Sequence, residues 1–305
     1  MRISLVRPKC LGESTMYDDV LIATDGSSAT ERALRHALGI AERFDARLHV
    51  LYVVDTRLVE LFGGERRETV LRESRAAGDQ VTREVVDRAD DREIAAVREV
   101  REGTPHEVVL AYADEAEVDL VTMGSHGSAG TDTPLLGSTA ERVVGRADCP
   151  VLTARPIERD EHTEGVQQFD DLLVPVDGSD PAERAADHAI ALAEMYGANV
   201  HFVYVVDSST YSSGDAPRSV VGMLEEAGQK EVDALAERAA DLHVSASTSV
   251  ERGVAHERIV EYADDEDADL VVMGSRGKTG GEGWFLGSTT DRVLRTVDQP
   301  VLTVR

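Results

Sequence analysis

The chain is 305 residues long, with 58 acidic side chains against 32 lysines and arginines and a formal net charge of −26. A surface that negative repels nucleic-acid phosphates and anionic membranes, which argues against a nucleic-acid binder or a membrane-associated protein. The apolar fraction of 42% is ordinary for a folded chain, so the acid excess suggests a surface kept hydrated at high salt, as in a salt-accumulating halophile; the scarcity of lysine (Lys9, Lys230, Lys278) fits that reading.

Residues 1–16 have no counterpart elsewhere in the chain and read as an N-terminal extension. It is either a flexible tail or a stretch ahead of a true start at Met16, with a functional arm as the alternative. "DDVLIAT" from Asp18 is a short apolar run, the pattern of a buried parallel strand. The next twenty residues put Leu34, Ala37, Leu38, Ala41 and Phe44 on one helical face, with Asp25 or Ser27 as cap. "ARLHVLYVVD" is a second strand, and a polar amphipathic helix follows over about 66–88. "EIAAVREVREG" is a third strand, "TPHEVVLAYADEA" a helix with Pro105 in its first turn, and "VDLVTMG" a fourth strand. A glycine-rich loop, a helix opening at Ser138 and a fifth strand, "PVLTAR", complete the unit. There is no signal peptide and no long apolar run, and Cys10 and Cys149 are the only thiols, so the chain reads as cytoplasmic and reduced.

The unit then repeats. "DDVLIATDGS" returns as "DDLLVPVDGS" from Asp170, "LHVLYVVD" as "VHFVYVVD" ending at Asp207, and "CPVLTAR" as "QPVLTVR" ending at Arg305. The offset is 152 residues early in the unit and 150 later, so the second copy lacks a net two residues between Asp207 and Gly253. The element order βαβαβαβαβ predicts an α/β protein: two repeated, open, mostly parallel five-stranded sheets with helices on both faces, a Rossmann-like arrangement. Domain 1 is placed at 17–155, a polar linker at 156–169 and domain 2 at 170–305. The last strand of each copy is apolar and ends its domain. Such an edge seeks a partner, as a homodimer or as an internal pseudo-dimer within one chain.

In an open α/β sheet, ligands bind beyond the carboxyl ends of the strands, where the strand order reverses. The ends of the first and second strands converge there with the glycine loop. That loop follows G-x2-G-x9-G-S-T twice: Gly124, Gly127, Gly137, Ser138, Thr139 and Gly274, Gly277, Gly287, Ser288, Thr289. Glycine lets backbone approach an oxyanion closely, and the loop closes at a helix N-terminus, whose N–H groups and dipole favour phosphate. "GSRGKT" is not a P-loop, because position 272 is valine where glycine is required. A Rossmann fingerprint fails too, since the first strand leads into "DGSS" or "DGSD".

"IATDGS" and "VPVDGS", "MGSHG" and "MGSRG", and the two glycine loops together resemble the universal stress protein family in a tandem form, from Tyr17 to Arg305. The resemblance implies a five-stranded parallel α/β domain, dimeric assembly through the last strand and, in the subclass with this loop, ATP binding without an assigned reaction; Mg²⁺ would accompany the ATP. It places Pro175, Val176 and Asp177 near the adenosine and Val205 at the adenine. Met273, Gly274, Arg276, Gly277, Gly287, Ser288 and Thr289 would hold ribose and phosphates. The first-copy counterparts are Ala23, Thr24, Asp25, Val53, Met123, Gly124, His126, Gly127, Gly137, Ser138 and Thr139. Ala23 replaces the proline, and His126 and Ser128 stand where the second copy has Arg276 and Lys278, so the second copy is expected to bind more tightly.

The remaining candidates read as structural. Histidines recur at 36/188, 49/201 and 106/256 without metal-ligand spacing. No G-x-S-x-G elbow or Cys–His pairing is visible. Trp284 and Phe285 would pack the loop on its own domain or stack on a partner. The sequence therefore favours an ATP-binding stress-response factor with no catalytic constellation. A slow ATPase or phosphotransferase, and a nucleotide-independent interaction scaffold, remain as alternatives.

Overall fold

Each copy folds because short apolar runs, buried on both faces except for one polar strand at the outer edge, alternate with helices that carry one apolar face. The computed structural model of the protein describes residues 16–126, 136–156, 168–207, 218–277 and 286–305. In the first copy the strands are β1 (Asp19–Thr24), β2 (Arg47–Asp55), β3 (Ala96–Gly103), β4 (Leu120–Gly124) and β5 (Val151–Ala154). Its helices are α1 (Ser28–Phe44), α2 (Thr56–Val59), α3 (Gly64–Asp90), α4 (Pro105–Glu115) and α5 (Ser138–Arg146). The second copy has β6 (Asp171–Val176), β7 (Asn199–Asp207), β8 (Ser245–Gly253), β9 (Leu270–Gly274) and β10 (Val301–Val304), with α6 (Asp180–Tyr196), α7 (Arg218–Asp241), α8 (Ala255–Asp265) and α9 (Ser288–Thr296).

The strands form one sheet in the order β3-β2-β1-β4-β5-β10-β9-β6-β7-β8, not two separate sheets. Pairing is parallel within each copy, and β5 and β10 join the copies antiparallel, with Leu152 opposite Leu302. Of the two pairings open to the apolar last strands, the structure contains the internal one. Strand alternation sends Val20 and Ile22 to a core shared with α1, α3, α6 and α7, and Leu21 to a core with α4, α5, α8 and α9. The apolar face expected of α1 is buried in full.

Three local details differ from the expectation or sharpen it. Ser27 is the N-cap of α1, yet its hydroxyl donates to Asp25 Oδ1 at 2.6 Å, so no side chain caps that helix. The short helix α2 has no counterpart in the expected elements, because four residues with Leu58 exposed carry no helical period. Gly78 and Gly228 each lie against the ring of a β2 or β7 tyrosine, Tyr52 and Tyr204. The glycines are offset by 150 residues and the tyrosines by 152, which narrows the length difference to the stretch between Asp207 and Gly228.

Histidines at 49 and 201 tie strands to helices and neighbours. His49 Nε2 lies 2.8 Å from Asp19 Oδ1, and its Nδ1 lies 2.9 Å from Tyr112 Oη on α4. His201 sits 3.1 Å from Asp171 Oδ1 and 3.0 Å from Ser247 Oγ.

A second seam runs between α1 and α6. Tyr17 packs edge-on to Phe44 at 5.0 Å, Phe169 edge-on to Tyr196 at 5.0 Å, and Phe169 stacks on His36 at 5.6 Å. Across this seam the Tyr17 hydroxyl meets His188 Nε2 at 2.5 Å. Burial pushes the His188 imidazole from 6.5 down to about 4 and raises the Tyr17 phenol well above its ordinary value. At neutral pH the phenol therefore meets an uncharged ring.

A histidine whose folded pKa is depressed contributes stability above its unfolded pKa, and that contribution is lost as pH falls. His188 should therefore lower the unfolding free energy progressively from about pH 6.5 to about pH 4. Urea unfolding across that window should show a shallower loss in His188→Leu than in the wild type; parallel curves would remove His188 from the acid response.

Candidate functional site

The strand order reverses at β6, which has β7 on one side and β9 on the other. Val176 pairs with Tyr204, and Leu173 with Val271, so the three carboxyl ends arrive together and spread apart. A cavity of about 350 Å³ opens there, within the range of small-molecule sites. All eleven second-copy positions singled out from the sequence line it, from Pro175 to Thr289. Six further residues line it that the sequence had not marked: Ala182, Val203, Ala255, Ile259, Leu286 and Thr290. They are small or apolar residues at ordinary core spacing, and only the tertiary fold turns them toward the crevice.

One wall is apolar, built from Pro175, Val203, Val205, Ala255, Ile259 and Met273. The other is backbone and cation. Gly274 runs so close to the start of α6 that a Cβ there would sit 2.8 Å from Pro181 C and 2.9 Å from Ala182 N. Thr290 Oγ1 donates to Gly274 O at 2.8 Å, and Gly287 N donates to Ser275 O at 2.8 Å, which fixes α9 to the end of β9. Gly287 is the N-cap of α9 and contributes no side-chain cap, so its first-turn N–H groups face the crevice mouth without a side-chain acceptor. Asp291, the acid in that first turn, is held by Arg295 at 2.8 Å. Asp177 Oδ1 accepts from Ser179 N at 3.0 Å. Its Oδ2 lies 2.5 Å from where a Cβ on Gly277 would stand, so the carboxylate rests against the loop backbone.

Arg276 is the cation of the crevice. Its Nε is buried without a hydrogen-bond partner, and among the described residues Arg276 has no ion pair. The neighbouring Ser275 Oγ is also buried and unpartnered. Buried polar atoms are nearly always paired, and of these two only Arg276 lines the cavity, so its Nε is the donor of the crevice left without an acceptor.

In the first copy Ala23 pairs with Met123 across β1 and β4, and Thr24 with Tyr52 across β1 and β2, so Thr24, Asp25, Val53, Met123 and Gly124 converge in the same way. Gly137 packs on His126, with a Cβ position 3.1 Å from His126 Cα, and Ser138 and Thr139 open α5. His126 Nδ1 lies 3.0 Å from Ser125 Oγ. Burial, and then the Arg155 charge, hold its imidazole below the ordinary histidine range. Gly127, Ser128, Asp132, Lys278, Glu282, Trp284 and Phe285 lie outside the described residues, as does the tail 1–15. Among the described residues no helix is long and apolar enough to cross a membrane.

Two linked parallel α/β units, the second with a glycine-lined crevice at its switch point, define a tandem α/β protein. Residues 16–155 and 168–305 each match the Universal stress protein family, and the chain belongs to it. A universal stress protein of Methanocaldococcus jannaschii is 38% identical over 144 residues, spanning 46% of this chain and 85% of its own. One of Mycolicibacterium smegmatis is 27% identical over 296 residues, spanning 94% of this chain and 96% of its own. The crystal structure of a universal stress protein from Archaeoglobus fulgidus superposes with a TM-score of 0.71, covering 95% of this chain and 98% of that one at 21% identity, a likeness of fold.

The two loop glycines should respond differently to alanine. At Gly274 the added methyl meets backbone of α6, which cannot yield, so Gly274→Ala should cost about 1–3 kcal/mol by overpacking. At Gly277 it meets the end of the Asp177 side chain, which can turn, so Gly277→Ala should stay within about 0.5 kcal/mol of wild type. Thermal melts of both variants check this; equal losses would contradict the packing described.

Proposed function

We propose that the second crevice binds ATP, with Mg²⁺, and that the chain acts as a nucleotide-binding stress-response factor in the cytoplasm. The observation that carries this reading is the division of the crevice: an apolar wall on β6, β7 and α8 faces a cradle of loop glycines, α9 N–H groups and the unpaired Arg276 Nε. An adenine ring suits the first wall and a polyphosphate the second. The residues present fit the nucleotide: the glycines leave room that a Cβ would fill, and the orphaned guanidinium nitrogen needs an acceptor. Asp177 would accept from the ribose side, Val205 would offer its backbone to the base, and Ser288 and Thr289 would donate to phosphate oxygens. Mg²⁺ would neutralise part of the phosphate charge, which matters in a chain of net charge −26.

Titration calorimetry with ATP and Mg²⁺ tests the reading. Wild-type protein should bind, and Gly277→Asp should lose at least about tenfold in affinity, since it puts a charge and a side chain where phosphate and backbone meet. Absence of binding by the wild type, or unchanged affinity in the variant, would contradict it.

A further inference from the structure

Away from the crevice, where β6 begins rather than ends, the second copy sets three polar side chains in a row. Asp171 opens β6, His201 is the third residue of β7, and Ser247 is the third residue of β8. The register puts His201 directly beside Ser247, and Asp171 beside Asn199, two positions before the histidine. His201 Nε2 lies 3.1 Å from Asp171 Oδ1, and its Nδ1 lies 3.0 Å from Ser247 Oγ. Asn199 Nδ2 donates to the same Oδ1 at 3.1 Å and steadies the carboxylate. All three groups stand on paired strands, so the sheet fixes their spacing. The His201 side chain is 12% exposed, while Ser247 is open to solvent.

The direction of the hydrogen bonds follows from the acid. Burial raises the Asp171 carboxyl, the bonds from His201 and Asn199 outweigh it, and the group is held below its ordinary value and ionised at neutral pH. A carboxylate only accepts, so in the neutral ring Nε2 carries the proton, Nδ1 accepts, and the Ser247 hydroxyl donates. A hydroxyl whose proton already points at an imidazole, itself oriented by a carboxylate, is the arrangement that activates a serine. Tyr262 on α8 completes the group, with its ring edge-on to His201 at 6.2 Å and a hydrogen bond to Ser247. The first copy keeps Asp19 and His49 but has Val97 beside the histidine where the second has Ser247. There His49 Nδ1 meets the Tyr112 hydroxyl inside the protein, so that chain of bonds ends on a buried phenol. On β8 itself, Ser245 and Ser249 share the face of Ser247, and Ser249 donates to Glu251 at 2.7 Å instead.

We propose that Ser247 is an activated nucleophile that accepts an acyl group from an activated carboxylic ester, with His201 as its base and Asp171 setting the tautomer of the ring. In that step Ser247 Oγ bonds to the ester carbonyl carbon and its proton passes to His201 Nδ1. The bond from that carbon to the leaving oxygen then breaks, which releases the alcohol portion as its anion and leaves an O-acyl serine. The imidazolium returns its proton to the leaving oxygen or to water. The site is independent of the nucleotide reading above.

The test treats the full chain with 4-nitrophenyl acetate at mildly alkaline pH and locates acetyl groups by peptide mass spectrometry. Ser245 and Ser249 are references on the same strand. Acetyl should accumulate at Ser247 at least about tenfold faster than at either, the lower end of what a positioned base contributes. Asp171→Asn keeps the shape of the side chain, yet its amide can donate to Nε2 and move the ring proton to Nδ1. Ser247 then loses its acceptor, and its labelling should fall to the rate of its neighbours with the thermal melt little changed. A merely structural tie between the strands would leave that rate where it was. Equal labelling of the three serines in the wild type would overturn the proposal, whether or not any variant folds. So would a folded Asp171→Asn whose Ser247 is labelled as fast as in the wild type.

Discussion

The antiparallel pairing of β5 with β10 is the contact on which the rest of the molecule is arranged. Each copy ends in an apolar strand, and Val151, Leu152, Val301 and Leu302 are all at most 2% exposed once the two strands meet. Left open, either edge would present unpaired backbone and apolar side chains to other chains. Thr153 and Thr303 reinforce the seam from the side, donating to Val301 O and Val151 O. Because the strands run in opposite senses, the carboxyl ends of the two parallel halves point to opposite edges of the sheet.

The same pairing makes each half complete the other. Arg155, just past β5, donates to carbonyls at the end of α9, and Arg305, just past β10, donates to Arg146 O at the end of α5. A guanidinium at a helix C-terminus and an anion at its N-terminus both favour the helix dipole. The helix whose first turn lines the second crevice is thus braced at its other end by the first copy. Tyr17 and Phe169 occupy matching places in the α1–α6 seam, yet only Tyr17 has a hydroxyl for the histidine opposite. One substitution therefore makes a twofold arrangement chemically uneven.

Much of this was legible in the sequence because it is local. Doubly buried strands read as apolar runs, α1 shows its face in five residues, and the glycine loop recurs at fixed spacing. Those signals sufficed to gather eleven residues around one cavity. What escaped depends on tertiary arrangement. An apolar terminal strand announces that it needs a partner without saying which, so a homodimer and an internal pair looked alike. Asp25 and Ser27 were both plausible caps for α1, and the sequence has no way to show that they would bond to each other. Ala255, Ile259 and Thr290 look like ordinary helix residues until α8 and α9 are packed over the strand ends. His188 resembled its repeat partner His36 and gained its distinct environment from Tyr17, 171 positions away.

The central claim is that a nucleotide sits at the β6–β9 edge, held by backbone that the glycine loop exposes. Amide hydrogen exchange of the full chain, with and without ATP and Mg²⁺, tests it at the residues concerned. Protection should rise at 273–277 and 286–291, where β9 ends and α9 begins. Exchange unaffected by nucleotide at these segments would contradict the account.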